Sequence, residues 1–444
     1  MRVRATLRRT SHRCSPEIPV AETIFALSSG RPPAAISVIR ISGPQAHEAG
    51  ARIAGTLPDA RTAAVRELKH PASRELLDQA LVLRFDAPAS STGEDVLEFQ
   101  CHGGRAVVDV LLAALGSIEG LRQAEPGEFT RRAFDNGRID LTAAEGLADL
   151  IEAETESQRK AALAMAEGGL RKHIAMWQER LLGLSARAER AIDYDEDDEA
   201  VDPALLRDCA ALAAELRRWL DRPRVEPLKN GVRVVVSGPP NAGKSSLINA
   251  IAGEEKAIVA AIPGTTRDHI EVPLSVAGVP VLLTDTAGLR ESEDEVEAIG
   301  IARASALMKV ADVLVWLGDP AEAPEHPRLV KVHGKADLAE RATPPNDSIS
   351  VSSITGEGLR PLLDRVSELS KSLLPGDDAI ALNRRQAMHI EEAAEVLCEA
   401  AASEDMVLVA ENLRFARSAF DRLTGRAGVE YVLDALFSRF CLGK

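Results

Sequence analysis

Aromatic residues make up only 3% of the 444-residue chain, cysteine occurs five times, and acidic residues outnumber basic ones by 68 to 53. Each shortage removes a class of function. So few rings speak against a sheet that stacks exposed bases. The cysteines (Cys14, Cys101, Cys209, Cys398 and Cys441) are far apart, odd in number and never in a C-x-x-C pair. That pattern suggests neither a disulfide framework nor a zinc site, and fits a reducing compartment. A net charge of −15 excludes a chain that coats nucleic acid non-specifically, while one local basic patch could still meet RNA. No apolar run approaches the roughly 20 residues needed to cross a bilayer. Only the head is basic: Arg2, Arg4, Arg8, Arg9 and Arg13 precede any acid. A disordered tail is expected over residues 1–21. The alternative is a short mitochondrial transit peptide, against a cytoplasmic location otherwise.

What is present divides the chain into regions, since 444 residues exceed one hydrophobic core. Residues 22–137 read as mixed α/β, with strands at Ile36–Ile41, Leu81–Phe85 and Val96–Gln100 and a helix over Arg105–Leu115. Residues 138–225 turn rich in Ala, Leu, Glu and Arg. There Leu163, Leu170, Ile174, Trp177, Leu181, Leu184, Ala188 and Ile192 predict one long amphipathic helix, and Ala204–Leu220 another. The acidic run Asp193–Glu199 reads as a solvated connection. Residues 226–375 form an α/β unit, and helical stripes resume over 376–444: Leu413, Ala416, Phe420 and Leu423, then Val429, Val432, Leu436 and Phe440. The economical architecture is a multidomain α/β plus all-α chain. In it a Ras-like P-loop domain is inserted into a helical bundle behind an N-terminal α/β domain.

The inserted unit carries the chemistry. Val232–Val236 reads as a buried strand and runs into Gly238-Pro-Pro-Asn241-Ala242-Gly243-Lys244-Ser245, with a helix from Ser246 to Ala252. This is the G-x-x-x-x-G-K-S loop in its strand–loop–helix setting. Its glycines let backbone N–H groups turn toward phosphate oxygens, and the helix N-terminus adds positive potential. Lys244 reaches the β- and γ-phosphates, and Ser245 offers a hydroxyl to Mg2+. Val281–Asp285 ends in D-x-x-G, Asp285-Thr286-Ala287-Gly288. Asp285 is placed to hold Mg2+ through water, and the Gly288 amide to approach the γ-phosphate. Between them Gly264-Thr265-Thr266 can complete the Mg2+ shell through Thr266, or alternatively Thr265.

Base reading falls to Gly334-Lys335-Ala-Asp337, after the strand Leu329–Val332. A carboxylate at Asp337 accepts from both guanine N1–H and N2–H2, a pattern adenine lacks. Ser352-Ser353-Ile354 resembles the loop that closes over guanine O6. GTPases usually carry N-K-x-D. With Gly334 in place of asparagine an amide contact is missing, and GTP preference rests mainly on Asp337. A second gap follows D-x-x-G, where Ras-like enzymes place a water-orienting glutamine. The residue here is Leu289, so the acidic segment Glu291–Glu297 is the nearest source of a carboxylate, and a cation other than arginine could balance the transition-state charge.

These motifs resemble the MnmE (TrmE) family of tRNA-modification GTPases. The likeness rests on Glu22-Thr-Ile, Arg40-Ile-Ser-Gly, Thr92-Gly-Glu-Asp-Val-Leu-Glu98, Cys101-His-Gly-Gly, Pro126-Gly-Glu-Phe-Thr-Arg-Arg-Ala-Phe134 and the terminal Cys441-Leu-Gly-Lys444, besides the GTPase motifs. It covers essentially everything after residue 21. The resemblance implies a folate-binding N-terminal domain that also forms a homodimer. It implies a flavin- and NADH-using MnmG-type partner in a heterotetramer or larger complex, and tRNA modified at C5 of wobble uridine. The one-carbon unit would come from 5-formyl-tetrahydrofolate or a related derivative, held by Arg40, Glu98, Arg138 and Lys444. From spacing alone the first three read as solvated or salt-bridged charges. The family often has lysine at position 138. It further implies a K+ bound by Asn241 and by loop oxygens of Ala260, Ile262 and Thr265, with Ala261, Pro263 and Gly264 in the same nucleotide-contacting loop and Ser246 closing the phosphate loop. By the same mapping Glu297 orients the attacking water, which with Lys244 and Gly288 completes the catalytic set. Cys441 is read as a buried or partly exposed structural cysteine, and Cys101-His102 as strand-end packing.

Overall fold

The computed structural model describes residues 22–194, 202–254, 271–285, 305–341, 343–376, 380–427 and 430–443. They fall into two compact units, one comprising residues through Arg138 together with those from Phe437 onward, the other Ile139–Leu436.

The first unit is a mixed sheet with two helices packed on one face and a third, through Phe129, on the other. Its strands are β1 (Thr23–Leu27), β2 (Ile36–Ser42), β3 (Ala64–Lys69), β4 (Leu76–Phe85), β5 (Val96–His102) and β6 (Leu121–Gln123). They lie in the order β3-β4-β5-β2-β1-β6, antiparallel except where β6 joins β1. Helices α1 (Ala46–Ala54), α2 (Arg105–Gly116) and α3 (Glu128–Asp135) complete the unit. Alternation decides which side chains are spent on packing. Ile39 and Ile41 of β2, and Leu97 and Phe99 of β5, are fully buried against Ile53, Leu111 and Leu115. The intervening Arg40 and Glu98 therefore face the other way.

Phe437 and the residues after it pack into this unit. A Cβ on Gly127 would come within 2.2 Å of the Phe437 carbonyl oxygen, and one on Gly443 within 2.1 Å of that of Leu27. Both glycines have positive φ, so only glycine permits these approaches. The expected segment 376–444 thus divides, its last residues belonging with the N-terminal sheet. Spacing along the chain could not show this, because the contact is between the two ends of the sequence.

The second unit combines a helical layer and a second sheet. The layer contains α4 (Leu141–Glu152), α5 (Glu156–Ala166), α6 (Gly169–Tyr194) and α7 (Pro203–Leu220). The one long helix expected from Leu163 to Ile192 is instead two, α5 and α6. Gly168, at φ +77°, breaks the chain between them, and a Cβ on Gly169 would meet the Ala164 carbonyl oxygen at 2.7 Å. Leu163 is therefore off the stripe, and Ile192 is 41% exposed, whereas Leu170 through Ala188 lie in the core as expected. A short α8 (Glu226–Asn230) leads into the sheet of β7 (Val232–Ser237), β8 (Glu271–Val276), β9 (Val279–Asp285), β10 (Val313–Trp316), β11 (Leu329–Gly334) and β12 (Ile349–Val351). Its order is β12-β11-β10-β7-β9-β8, parallel except for β8. It carries α9 (Lys244–Glu254) and α10 (Leu359–Lys371). Valine-rich β7 is central and buried, as a parallel strand covered on both faces must be.

The chain then returns through α11 (Arg384–Ala402), α12 (Met406–Thr424) and α13 (Glu430–Phe437). Trp177, Trp219 and Phe420 meet at the bundle centre, the two indoles edge-to-face at 5.3 Å. Capping boxes at Thr155/Gln158 and Asn383/Gln386 start α5 and α11. Among the contacts that fasten the helical layer to the sheet and to α8, Ser157 Oγ donates to the Gly278 carbonyl at 3.1 Å, Gln158 Nε2 donates to the Leu228 carbonyl at 3.0 Å, and Lys229 pairs with Asp149 at 2.6 Å. Among the described residues no helix is long and apolar enough to cross a membrane.

Candidate functional site

The turn after β7 is dictated by glycine. Gly238 sits at φ +150°, and a Cβ there would be 2.3 Å from the Leu317 carbonyl oxygen, so β7 and the turn after β10 touch backbone to backbone. Gly243 at φ +97° and Asn241 at φ +59° complete the curl. Asparagine tolerates the left-handed region better than most residues. The helix starts at Lys244, two residues earlier than expected, because the Leu247 amide already donates to the Gly243 carbonyl at 2.9 Å and closes the first turn there. Lys244 is buried, and its ammonium donates to the carbonyl oxygens of Gly238 (2.9 Å) and Pro239 (2.8 Å). Ser245 Oγ, in the first turn of α9, donates to Asp285 Oδ2 at the end of β9 at 2.7 Å. A positive group, a hydroxyl and a buried carboxylate thus converge at one mouth, a donor set suited to a polyphosphate and a hard divalent cation.

Farther along the same sheet edge lies the base-side half. Lys335 at φ +60° turns the chain off β11. The Ala336 amide donates to Val351 (3.1 Å), and Ser352 Oγ donates to Asp337 Oδ1 (2.7 Å). Ser352 Oγ also accepts from the amides of Ile354 and Thr355 within its own loop, so the hydroxyl that ties the two loops together is itself fixed. A cavity of about 260 Å³ opens between the halves, lined by Ala242, Gly243, Gly334, Asp337 and Ser353 among others. Lys335 reaches back so that its Cε lies 3.9 Å from where a Cβ of Gly243 would be. Asn241, Ala242, Gly243, Lys244, Ser245, Ser246, Asp285, Lys335, Asp337, Ser352, Ser353 and Ile354 are therefore all on this edge or in its cavity wall. Ala260, Ala261, Ile262, Pro263, Gly264, Thr265, Thr266, Thr286, Ala287, Gly288, Glu297 and Lys444 lie outside the described residues.

In the first unit, Arg40 and Glu98 are directly opposite on β2 and β5 and pair at 2.8 Å with little exposure. The Arg40 guanidinium stands 5.7 Å from the centre of the Phe129 ring. Arg138 lays its stem beside Gly93, where a Cβ would be 3.2 Å from Arg138 Cγ. Around them runs a polar network that sequence reasoning did not assign. Arg132 bridges Glu94 and Glu128, both at 3.0 Å. Arg122 pairs with Glu128 at 2.6 Å, Ser42 Oγ donates to Glu94 Oε2 at 2.7 Å, and Asn136 donates to the Thr92 carbonyl at 2.8 Å. Burial pushes the Glu128 carboxyl up, but bonds from Arg122, the Glu125 amide and Arg132 outweigh it and hold the group below the usual range. The advance signal was that Ser42, Glu94, Glu128 and Arg132 sit inside motifs already noted.

Of the four described cysteines, Cys101 and Cys209 are buried and Cys398 is half-buried. Cys101 is buried and its thiol is pushed up to about 11, chiefly by burial, while His102 bonds Asp78 at 2.8 Å instead of the thiol. Cys441 is exposed, not buried or partly exposed as expected.

Residues 23–138 match the pattern described as GTP-binding protein TrmE N-terminus, and residues 141–441 match the MnmE helical domain. The chain belongs to the MnmE family of tRNA-modification GTPases. The protein named tRNA modification GTPase MnmE of Erythrobacter litoralis is 51% identical over 95% of this chain and 100% of its own length. Its namesake in Zymomonas mobilis is 50% identical over 95% of this chain and 100% of its own. Likeness to MnmE relatives thus extends across both units.

Proposed function

We propose that the chain is a K+-stimulated GTP hydrolase of tRNA modification. With an MnmG-type FAD partner it installs an aminomethyl or carboxymethylaminomethyl group at C5 of the wobble uridine, position 34. What supports this reading is that Lys244, Ser245 and Asp285 converge on the phosphate loop, whose Ala242, Gly243 and Ser246 line the same cavity as Asp337, itself held by Ser352.

In the reaction, water attacks the γ-phosphorus and the bond to the β-bridging oxygen breaks, leaving GDP and phosphate. The Lys244 ammonium exchanges the Gly238 and Pro239 carbonyls for β- and γ-phosphate oxygens and offsets charge as the bridge breaks. Ser245 Oγ and Asp285, bonded to each other here, would hold Mg2+, which would supply charge neutralisation for the phosphates. Asn241 with Ala260, Ile262 and Thr265 would hold K+, which would supply the charge an arginine finger would. Glu297 orients the water and the Gly288 amide stabilises the γ-phosphate. GTP hydrolysis drives opening and closing of the nucleotide domain. Arg40, Glu98, Arg138 and Lys444 hold the one-carbon tetrahydrofolate in an N-terminal domain that dimerises, and the assembly acts in the cytoplasm.

Nucleoside analysis of tRNA from a deletion strain tests the reading. Expected is unmodified wobble uridine, restored by the wild-type chain but not by Lys244→Ala. Normal tRNA nucleosides, with a ribosome-assembly defect instead, would make the chain a regulatory GTPase.

A further inference from the structure

Gly334 stands where the usual base-reading motif has asparagine, and its backbone does not require glycine: φ lies outside the left-handed region. Nor does packing require it. A Cβ would lie 3.4 Å from the Ala242 carbonyl oxygen and 3.6 Å from Leu317 Cδ2, ordinary contact distances. A longer polar side chain would therefore grow from the end of β11 toward a phosphate-loop carbonyl, along the wall of the cavity. As the chain stands, the hydrogen bonds of residues 334–337 run to β12, to Ser352 and within their own turn. Among the described residues none crosses to the phosphate loop. The Lys335 stem, beside Gly243, crosses by apolar contact alone.

We infer that Gly334 sets the rate of nucleotide release by leaving the base-reading loop untethered from the phosphate loop. This rests on the guanine-nucleotide reading above and deepens it. With no side-chain bridge, the bound nucleotide is what joins the two halves, so one half lets go without having to break a protein–protein bond first. An asparagine amide at this position donates to the Ala242 carbonyl and holds the halves together around the base. One added neutral hydrogen bond corresponds to about a three- to tenfold slower release.

The test is the dissociation rate of a fluorescent N-methylanthraniloyl GDP from the full chain, chased with excess GDP, in wild type, Gly334→Asn and Gly334→Ala. Expected is slowing of about three- to tenfold in Gly334→Asn and a rate within about twofold of wild type in Gly334→Ala. Gly334→Ser, smaller but with a hydroxyl donor, also slows release and serves if asparagine disturbs β11. Equal rates in all variants, or equal slowing by alanine, would overturn the tether. Failure of the wild-type chain to take up the probe would instead overturn the nucleotide reading itself.

Discussion

Exchanging Asp337 for asparagine should convert guanine preference into xanthine preference. Asp337 Oδ1 is fixed by the Ser352 hydroxyl at 2.7 Å, and the carboxylate lines the cavity beside Gly334. Two donors of guanine, N1–H and N2–H2, meet this one anion. Hydrogen bonds to a charged group contribute about 1.5–3 kcal/mol each. Because Asp337 is exposed, the lower end applies, about 3 kcal/mol for the pair and about a hundredfold in affinity. Asparagine retains an oxygen for Ser352 but turns an NH2 toward the guanine amino group. The 2-carbonyl of xanthine accepts from that same NH2. Competition binding of GTP and XTP to Asp337→Asn should therefore show GTP weakened by about a hundredfold and XTP tightened by at least about tenfold. GTP affinity within about threefold of wild type would refute the assignment of Asp337 to the base.

Glu145→Ala should destabilise the helical layer by about 2–4 kcal/mol, because Glu145 receives both Arg385 nitrogens (2.7 and 3.0 Å) and Gln386 (2.7 Å) in a nearly closed site. Urea unfolding followed by fluorescence of Trp177 and Trp219 would show it; an unchanged midpoint would sink the estimate. Glu128→Gln probes the network of the first unit through pH. The folded-state carboxyl titrates below its unfolded value, so its stabilisation is present above the unfolded pKa, about 4.3, and is lost as pH falls through the folded one. The variant should therefore be less stable by about 1–2 kcal/mol at neutral pH and match wild type in acid; a gap constant with pH would contradict this. Replacing Na+ by K+ should raise GTP turnover in the wild-type chain and not in Asn241→Ala; identical rates in both salts would remove the K+ assignment.

Legibility in the sequence followed the range of each interaction. The phosphate loop and the base-reading turn were readable because their chemistry is local: glycine and asparagine at positive φ, then Lys244 and Ser245 in consecutive positions. Arg40 and Glu98 were nominated by resemblance. The reason they meet, direct opposition across β2 and β5 on the face away from the core, depends on a register 58 residues apart. The split of α5 from α6 was hidden because Ala- and Leu-rich periodicity runs past Gly168, whose left-handed conformation interrupts the helix without disturbing the apolar count. The seating of Phe437 and Gly443 on the N-terminal sheet was hidden for a different reason, as no local pattern records a contact between chain ends.

The most direct measurement is steady-state GTP turnover by the purified full-length chain with Mg2+ and K+, run beside Lys244→Ala and with ATP as a second substrate. Expected are repeated cycles of GDP and phosphate release from GTP, little from ATP, and a loss of at least about a hundredfold in Lys244→Ala. A chain that neither retains nor splits GTP, or a variant as active as wild type, would contradict the assignment of Lys244 and Asp337 to one nucleotide.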